Sequence, residues 1–321
     1  MRRPFLAALA AVASLLFLGA IAAAFGHSPR ELVVVLVEGA LGSPFALQGS
    51  LLKTVPLLLT GLAVVIAFRG GVWNIGAEGQ FIVGALAAFV CARGGIVIAL
   101  VAGMIAGAAW ASIAIALRIW RNAPEVLTTI LLNFIAIHLL GWCVNGPLQE
   151  SSGKYPQSEA TIALPLLGTS DVHAGLLVAV AAAIASWILL YRTTTGLRIR
   201  ATGLNASAAR WAGVDVRRQL ILSMAVSGSM AGLAGAIELF GVTHRLFERF
   251  AAGYGYSGIA VALLAQLHPL ATIASAAFFG ALVTGAGELQ RTSGVPSSLA
   301  TLGQALIILV MIISGSFRQH D

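Results

Sequence analysis

Charge is what this chain has least of. Of 321 residues only 10% are Asp, Glu, Lys or Arg, against about 25% in soluble globular domains. A fold wetted on all sides is therefore excluded. Lysine is almost missing: all but two of the nineteen basic residues are arginine, leaving Lys53 and Lys154. Of the two cysteines, Cys91 and Cys143, each lies in or beside an apolar segment. They lack CxxC spacing and a neighbouring histidine cluster, and read as small buried hydrophobes. Six histidines and twelve acids form no HExxH or other metal-ligand spacing, and no GxSxG elbow occurs. The one Gly-Lys pair, Gly153-Lys154, runs on into Tyr155 without the upstream glycine of a phosphate-binding loop. The chain is thus not expected to be an enzyme or to split ATP itself, and no cofactor or metal is expected. No nucleic-acid-binding motif accompanies the formal charge of +7, whose arginines are scattered over loop ends.

What is abundant is apolar sequence: 59% hydrophobic residues and a mean hydropathy of +0.93. A membrane span takes about 20 apolar residues, so there is room for about eight to ten. The expected fold is all-α: one polytopic membrane domain over 1–321 with at least one broken helix. Candidate spans are 4–25, 48–68, 79–93, 96–117, 125–145, 173–191, 219–240, 257–267, 270–287 and 298–315. The third and eighth are short for a full crossing and read as half-helices or tilted pieces. Residues 4–25 resemble a signal peptide but exceed the usual apolar length of about 7–15 residues, which suggests a retained first span.

Charge orients the spans. With both termini cytoplasmic, twelve of the nineteen basic residues fall inside: Arg2, Arg3, Arg69, Arg118, Arg121, Arg192, Arg198, Arg200, Arg210, Arg217, Arg218 and Arg318. Acids lean outward, with Glu31, Glu38, Glu150, Glu159, Asp171 and Glu248 outside. Two outer segments are long. Glu31–Ala40 within the first suits an interfacial helix, and 146–172, marked by Pro147, Pro156 and Pro165, reads as an ordered loop. Gly103-x-x-x-Gly107 and Gly228-x-x-x-Gly232 would let helices approach closely. No low-complexity segment or internal repeat is evident.

Two stretches carry most of the functional information. Residues 192–218, between apolar runs, hold six arginines and one acid. Thr195 and Gly196 punctuate its start, and Asn205 can cap a short helix containing Ala206, Ala208, Ala209, Trp211 and Ala212. Such a helix suits docking onto another protein; a loop that only fixes topology is the plainer reading. Residues 69–80, RGGVWNIGAEGQ, break the second and third spans. Unsatisfied backbone groups in hydrocarbon cost several kcal/mol each, so this segment sits at a water boundary or inside protein. Trp73, Asn74, Glu78 and Gln80 are candidates for a solute pathway, with Asn133 deep in the fifth span. A cytoplasmic turn with ordinary capping, Asn74 as the cap and Glu78 at the positive helix end, is the alternative. His138 lies five residues from Asn133, on another face. Glu238, Gln266 and Glu288 end spans, where polar groups usually reach interface water.

The blocks VPLLLTGLAVVIAFRGGVWNIGAEGQFIVGALAA (55–88), EVLTTILLNFIAIHLLGWCVNGPL (125–148), TGLRIRATGLNASAARWAGVDVRR (195–218), MAGLAGAIELFGVTHRLFERFAAGYGYSGIAVALL (230–264) and GVPSSLATLGQALIIL (294–309) resemble the permease subunits of bacterial ABC importers for branched-chain amino acids and simple sugars, in particular the nucleoside or simple-sugar subgroup. The blocks run in family order and span most of the chain. The resemblance implies a multi-pass permease of the bacterial inner membrane, with both termini cytoplasmic. Its implied partners are a cytoplasmic ABC ATPase, a second permease subunit, a periplasmic or lipoprotein substrate-binding protein and the lipid bilayer, with no nucleic acid. Nucleosides are the first substrate class, and simple sugars or branched-chain amino acids the alternatives. The 192–218 segment becomes the coupling element, with Gly203, Asn205, Ala208, Ala209 and Gly213 at family-like positions. His268-Pro269 departs from the asparagine-containing pattern expected before that proline. An ion-coupled secondary transporter is the rival class, for which Glu78 is the only clear mid-chain carboxylate.

Overall fold

The computed structural model describes residues 28–294, with 298, 302 and 305 beyond them. The spans expected at 4–25 and 298–315, and both chain termini, lie outside the described residues. Eleven α-helices follow in order: α1 Pro29–Leu41, α2 Pro44–Arg69, α3 Ala77–Cys91, α4 Ile96–Arg121, α5 Glu125–Val144, α6 Gly175–Arg192, α7 Thr194–Leu204, α8 Ala206–Trp211, α9 Val216–Glu238, α10 Tyr254–Leu264 and α11 Ala271–Ser293. No strand forms among the described residues; two isolated bridges, Gln157 with Phe247 and Leu166 with His173, tie down the long 146–172 loop.

Local chemistry accounts for the helix ends. Ser28 and Ser43 cap α1 and α2, each accepting a hydrogen bond from an amide three residues on, and each is followed by a proline at the first helical position. α4 ends where Asn122 takes the left-handed conformation at φ 52°.

Among the described residues six helices are long and apolar enough to cross a bilayer: α2, α4, α5, α6, α9 with its π-helical extension Leu239–Thr243, and α11. Together with the shorter α3 and α10 they match the eight candidate spans within the described residues. α2 is the central helix. From Val55 to Ala67 it is buried on every side, and a helix apolar all round belongs in the interior. α4 buries only a stripe, Ala99, Gly103, Gly107, Ala111, Ala114 and Ile115, and turns residues such as Val101 and Ile105 outward.

The two glycine pairs meet each other. A Cβ at Gly107 would strike the Gly228 carbonyl oxygen and come within 2.8 Å of the Gly232 Cα; one at Gly84 of α3 would strike the Gly232 Cα. α3, α4 and α9 therefore cross almost backbone to backbone, as small residues allow in membranes. Cys91 and Cys143 are only half-buried, and the region 29–41 forms a helix that packs on α11, where Gly285 abuts the Leu36 carbonyl.

The basic loops collect at one end of the bundle. Gly203 abuts the Arg69 carbonyl. Arg118 bridges Glu125 at 2.8 Å, and Arg69 donates to the Leu267 and Gln266 carbonyls. His268 stacks on Tyr191 with ring centroids 5.4 Å apart. At the opposite end Arg245 pairs with Glu150 at 2.9 Å and Asn145 donates to Glu248.

Candidate functional site

The break at 70–76 is a re-entry. After Arg69 the chain turns through Gly70 and Gly71 (φ 76°) and runs back without helix to Gly76. Ser227, in the middle of α9, shows how far in it reaches: its hydroxyl donates to the Ala63 carbonyl of α2 at 2.6 Å and accepts from the Asn74 amide at 2.8 Å. Asn74 thus lies level with Ala63, six residues before the end of α2. α3 begins inside the protein, and its 15 residues make about 22 Å at 1.5 Å each, short of the ~30 Å hydrocarbon core. The 11 residues of α10 make about 16 Å, and it too begins inside, after the non-helical stretch Arg245–Gly253. Two broken helices converge.

Glu78 joins them. Its carboxylate accepts the Gly253 amide at 2.9 Å and the Gly255 amide at 2.7 Å, which are orphan donors at the start of α10. A negative group there also meets the positive end of the helix dipole. The contact is close enough that a Cβ at Gly255 would strike the Glu78 amide nitrogen. Asn133 of α5 serves α3 in the same way: its Oδ1 accepts from Gly79 at 2.8 Å, while its Nδ2 donates to the Ile75 carbonyl and the Tyr256 hydroxyl. Asn74 Oδ1 accepts from the Gly76 amide and from Gln80 Nε2, and Asn74 Nδ2 donates to Gln80 Oε1.

Four of the sequence candidates, Asn74, Glu78, Gln80 and Asn133, therefore form one network, and all four are buried. The cap of α3 is Gly76 rather than Asn74, whose side chain bonds two residues on as an Asx turn. Glu78 reaches across to α10 instead of serving its own helix. Trp73 stands apart, 54% exposed, with its ring 4.7 Å from that of Phe68. Ser227, Tyr256 and the Gly253/Gly255 amides belong to the network and were not picked out from sequence; the glycines of AAGYGYSG were the available cue.

A second buried polar set lies beside it. Lys53 Nζ donates to the Tyr254 hydroxyl at 2.8 Å. Glu238, expected at interface water, is instead buried at 4% exposure, because α9 continues past it as a π-helical turn, Leu239–Thr243. A lysine inside the otherwise apolar α2 was the sequence signal for this set. His138 is exposed on the face opposite Asn133.

The basic segment folds as two helices. Thr193 caps α7, accepting from the Gly196 amide at 3.0 Å. Gly196 does not punctuate a turn but packs inside α7 against the Leu189 carbonyl and Leu190. Asn205 caps α8 as expected, its Oδ1 accepting from Ala208 at 2.9 Å. Ala209 is buried against the chain itself, and Gly203 seats on Arg69. Gly213, at φ 79°, makes the turn that leads into α9. What faces outward is Ala206, Ala208, Leu204 at 86% exposure and Trp211 at 92%.

A central re-entrant break, two half-helices held by buried carboxylate and amide, and a basic two-helix loop at one end form the framework against which known proteins can be compared. Residues 46–315 match the family described as branched-chain amino acid transport system / permease component. The chain is 35% identical to a glucose ABC transporter permease protein of Haloferax volcanii, over 99% of this chain and 88% of the relative. It is 34% identical to a guanosine ABC transporter permease protein of Bacillus subtilis, over 91% and 88%. It is 31% identical to a nucleoside ABC transporter permease protein of Lactococcus lactis, over 97% and 91%. With a family match across most of its length, and relatives above 30% identity that it covers almost end to end, this multi-pass membrane chain belongs to the branched-chain amino acid transport system permease-component family of ABC importers.

Proposed function

We propose that this chain is the membrane subunit of an ATP-driven importer for nucleosides, and that its basic end is cytoplasmic and docks a separate ATPase. The observation that carries the docking half is the α7–α8 loop: arginine-rich, seated on the ends of α2 and α6, capped by Thr193 and Asn205, and presenting Leu204 and Trp211 to solvent. Two exposed large apolar side chains on an arginine-bearing loop suit a groove with an apolar floor and an acidic rim. Asn205, Ala208 and Gly213 shape the surface presented, while Gly203 and Ala209 hold the loop to its own chain. Nucleosides rest on the guanosine and nucleoside relatives. The glucose relative supports a simple sugar as the second reading. A second permease subunit and a substrate-delivering binding protein complete the assembly.

The solute would pass beside the re-entrant break. Asn74, Glu78, Gln80 and Asn133 spend their hydrogen bonds on holding the two half-helices. Trp73 and Tyr256 are the exposed side chains bordering them and would meet a nucleoside's ring face. Co-expression with the ATPase, the second permease subunit and the binding protein, followed by uptake of radiolabelled guanosine, uridine and glucose into proteoliposomes with internal ATP, tests the reading. ATP-dependent uptake of a nucleoside is expected, and Trp211→Ala should abolish ATPase co-purification. Glucose uptake without nucleoside uptake transfers the assignment to sugars, and uptake without ATPase discards it.

A further inference from the structure

At the basic end, a cleft of about 420 Å³ opens between the α4–α5 turn and the α8–α9 corner. Its lining includes Arg118, Arg210 and Arg217, with Glu125 the one carboxylate. Glu125 is already paired with Arg118 at 2.8 Å. The nearby Asp215 spends an oxygen capping the Arg218 amide at 3.0 Å. Among the described residues, Arg210 and Arg217 have no carboxylate within ion-pair distance. Three guanidinium groups from three helices thus converge on one opening, two of them uncompensated. Guanidinium forks suit phosphate oxygens.

The surroundings say what kind of phosphate. The cleft lies where α4 and α9 leave their apolar runs, at the level of a membrane surface. Trp120, next in sequence to the lining Ile119 at the end of α4, has a largely exposed ring. Tryptophan rings favour the headgroup level of a bilayer, and basic pockets between span ends collect anionic headgroups there. We propose that this cleft binds the headgroup phosphate of an anionic phospholipid, held by Arg210 and Arg217 with Arg118 behind them. The inference does not depend on the substrate, and it places a lipid in contact with the last residues of α8, so that lipid charge would bear on how the α7–α8 loop is held.

The test uses the purified full-length chain in nanodiscs and in mixed-detergent native mass spectrometry, with phosphatidylglycerol and phosphatidylcholine as probes. The unsubstituted chain should retain phosphatidylglycerol over phosphatidylcholine by roughly tenfold or more, as two added basic contacts at a membrane surface would give. The variant Arg210→Gln/Arg217→Gln should lose that preference. Arg192→Gln/Arg198→Gln, equal in charge and at the same end, should keep it. Matching thermal unfolding midpoints for the three proteins ensure that folding is not what is read. Retained preference in Arg210→Gln/Arg217→Gln overturns the site. So does displacement of the lipid by millimolar inorganic phosphate at unchanged occupancy of the cleft, which would make it a free-phosphate site. Loss of ATPase association with unaltered lipid retention also overturns it, assigning the arginines to the protein partner.

Discussion

Glu78 shows how a carboxylate can be buried in a membrane protein without a cation beside it. Its two oxygens take two backbone amides at 2.9 and 2.7 Å, and hydrogen bonds to a charged group are worth about 1.5–3 kcal/mol. Glutamine offers only one acceptor oxygen and turns an NH2 toward the other amide. Glu78→Gln should therefore lower the thermal unfolding midpoint in detergent by an amount corresponding to about 1–3 kcal/mol, and Glu78→Asp, one methylene short, should do the same. An unchanged midpoint for both would show that the carboxylate does not hold α10. If uptake falls while the midpoint stands, the charge acts on the solute instead. This residue also marks the limit of sequence reading. That Glu78 matters was legible from its place in RGGVWNIGAEGQ, but its partner is 175 residues away in sequence. No local pattern reveals that a second half-helix starts there. Trp73 and Asn74 are neighbours in sequence yet differ wholly in burial, because the chain turns tightly at Trp73, the Asn74 amide donating to the Val72 carbonyl.

At the scale of helices, apolar runs located the six described spans and the two half-helices to within a few residues, since length and hydropathy alone decide what can cross a bilayer. The glycine pairs were legible as contact makers, whereas their mutual pairing was not, because any small-residue stripe can pack on any other. The pairing makes a definite expectation. Gly107→Leu forces side-chain atoms into the Gly228 carbonyl and the α9 backbone, neither of which can swing aside. Overpacking of this kind costs about 1–3 kcal/mol or more. Gly141, within α5 and with nothing near its Cβ position, is the contrast: Gly141→Ala should leave the midpoint unmoved or raise it, since alanine favours a helix over glycine. Equal midpoints for Gly107→Leu and Gly141→Ala would refute the α4–α9 crossing. The outer loop adds a pH-dependent element. Hydrogen bonds from the Ser152 hydroxyl and the Gln157 amide, joined by Arg245, hold Glu150 below the usual carboxylate range. A carboxyl group depressed by folding adds stability above its unfolded pKa of about 4.3 and loses it as pH falls through the folded value. Amide exchange in 150–158 should accordingly quicken as pH falls below about 4.3, and Glu150→Gln should remove that dependence. A pH-independent exchange rate in the unsubstituted loop, after correction for intrinsic exchange, would refute the role.

For the whole molecule the decisive asymmetry is the separation of charge between its ends. Arg69, Arg118 and Arg200 gather around the α7–α8 loop, while far along the spans Glu150 pairs with Arg245, Glu159 accepts from Ser151 and Glu248 accepts from Asn145. Each half of this pattern was legible from counting arginines, but counting cannot show that the basic loops touch. The contacts do: Gly71 approaches Gly203, and Arg118 reaches the Gly71 carbonyl. A bundle so polarised is expected to insert with its arginine-rich end inward, because arginine flanking spans resists translocation. Cysteines at two exposed positions decide the orientation, in a background with Cys91 and Cys143 replaced by alanine. Lys154→Cys should react in intact cells with a membrane-impermeant maleimide. Arg198→Cys, on the exposed side of α7, should react only after permeabilisation. The ATPase and its ATP are available only at the cytoplasmic face, so the assignment of α7–α8 as their docking element stands or falls with this result. Labelling of Arg198→Cys in intact cells would reverse the orientation and leave the exposed Trp211 without its proposed partner.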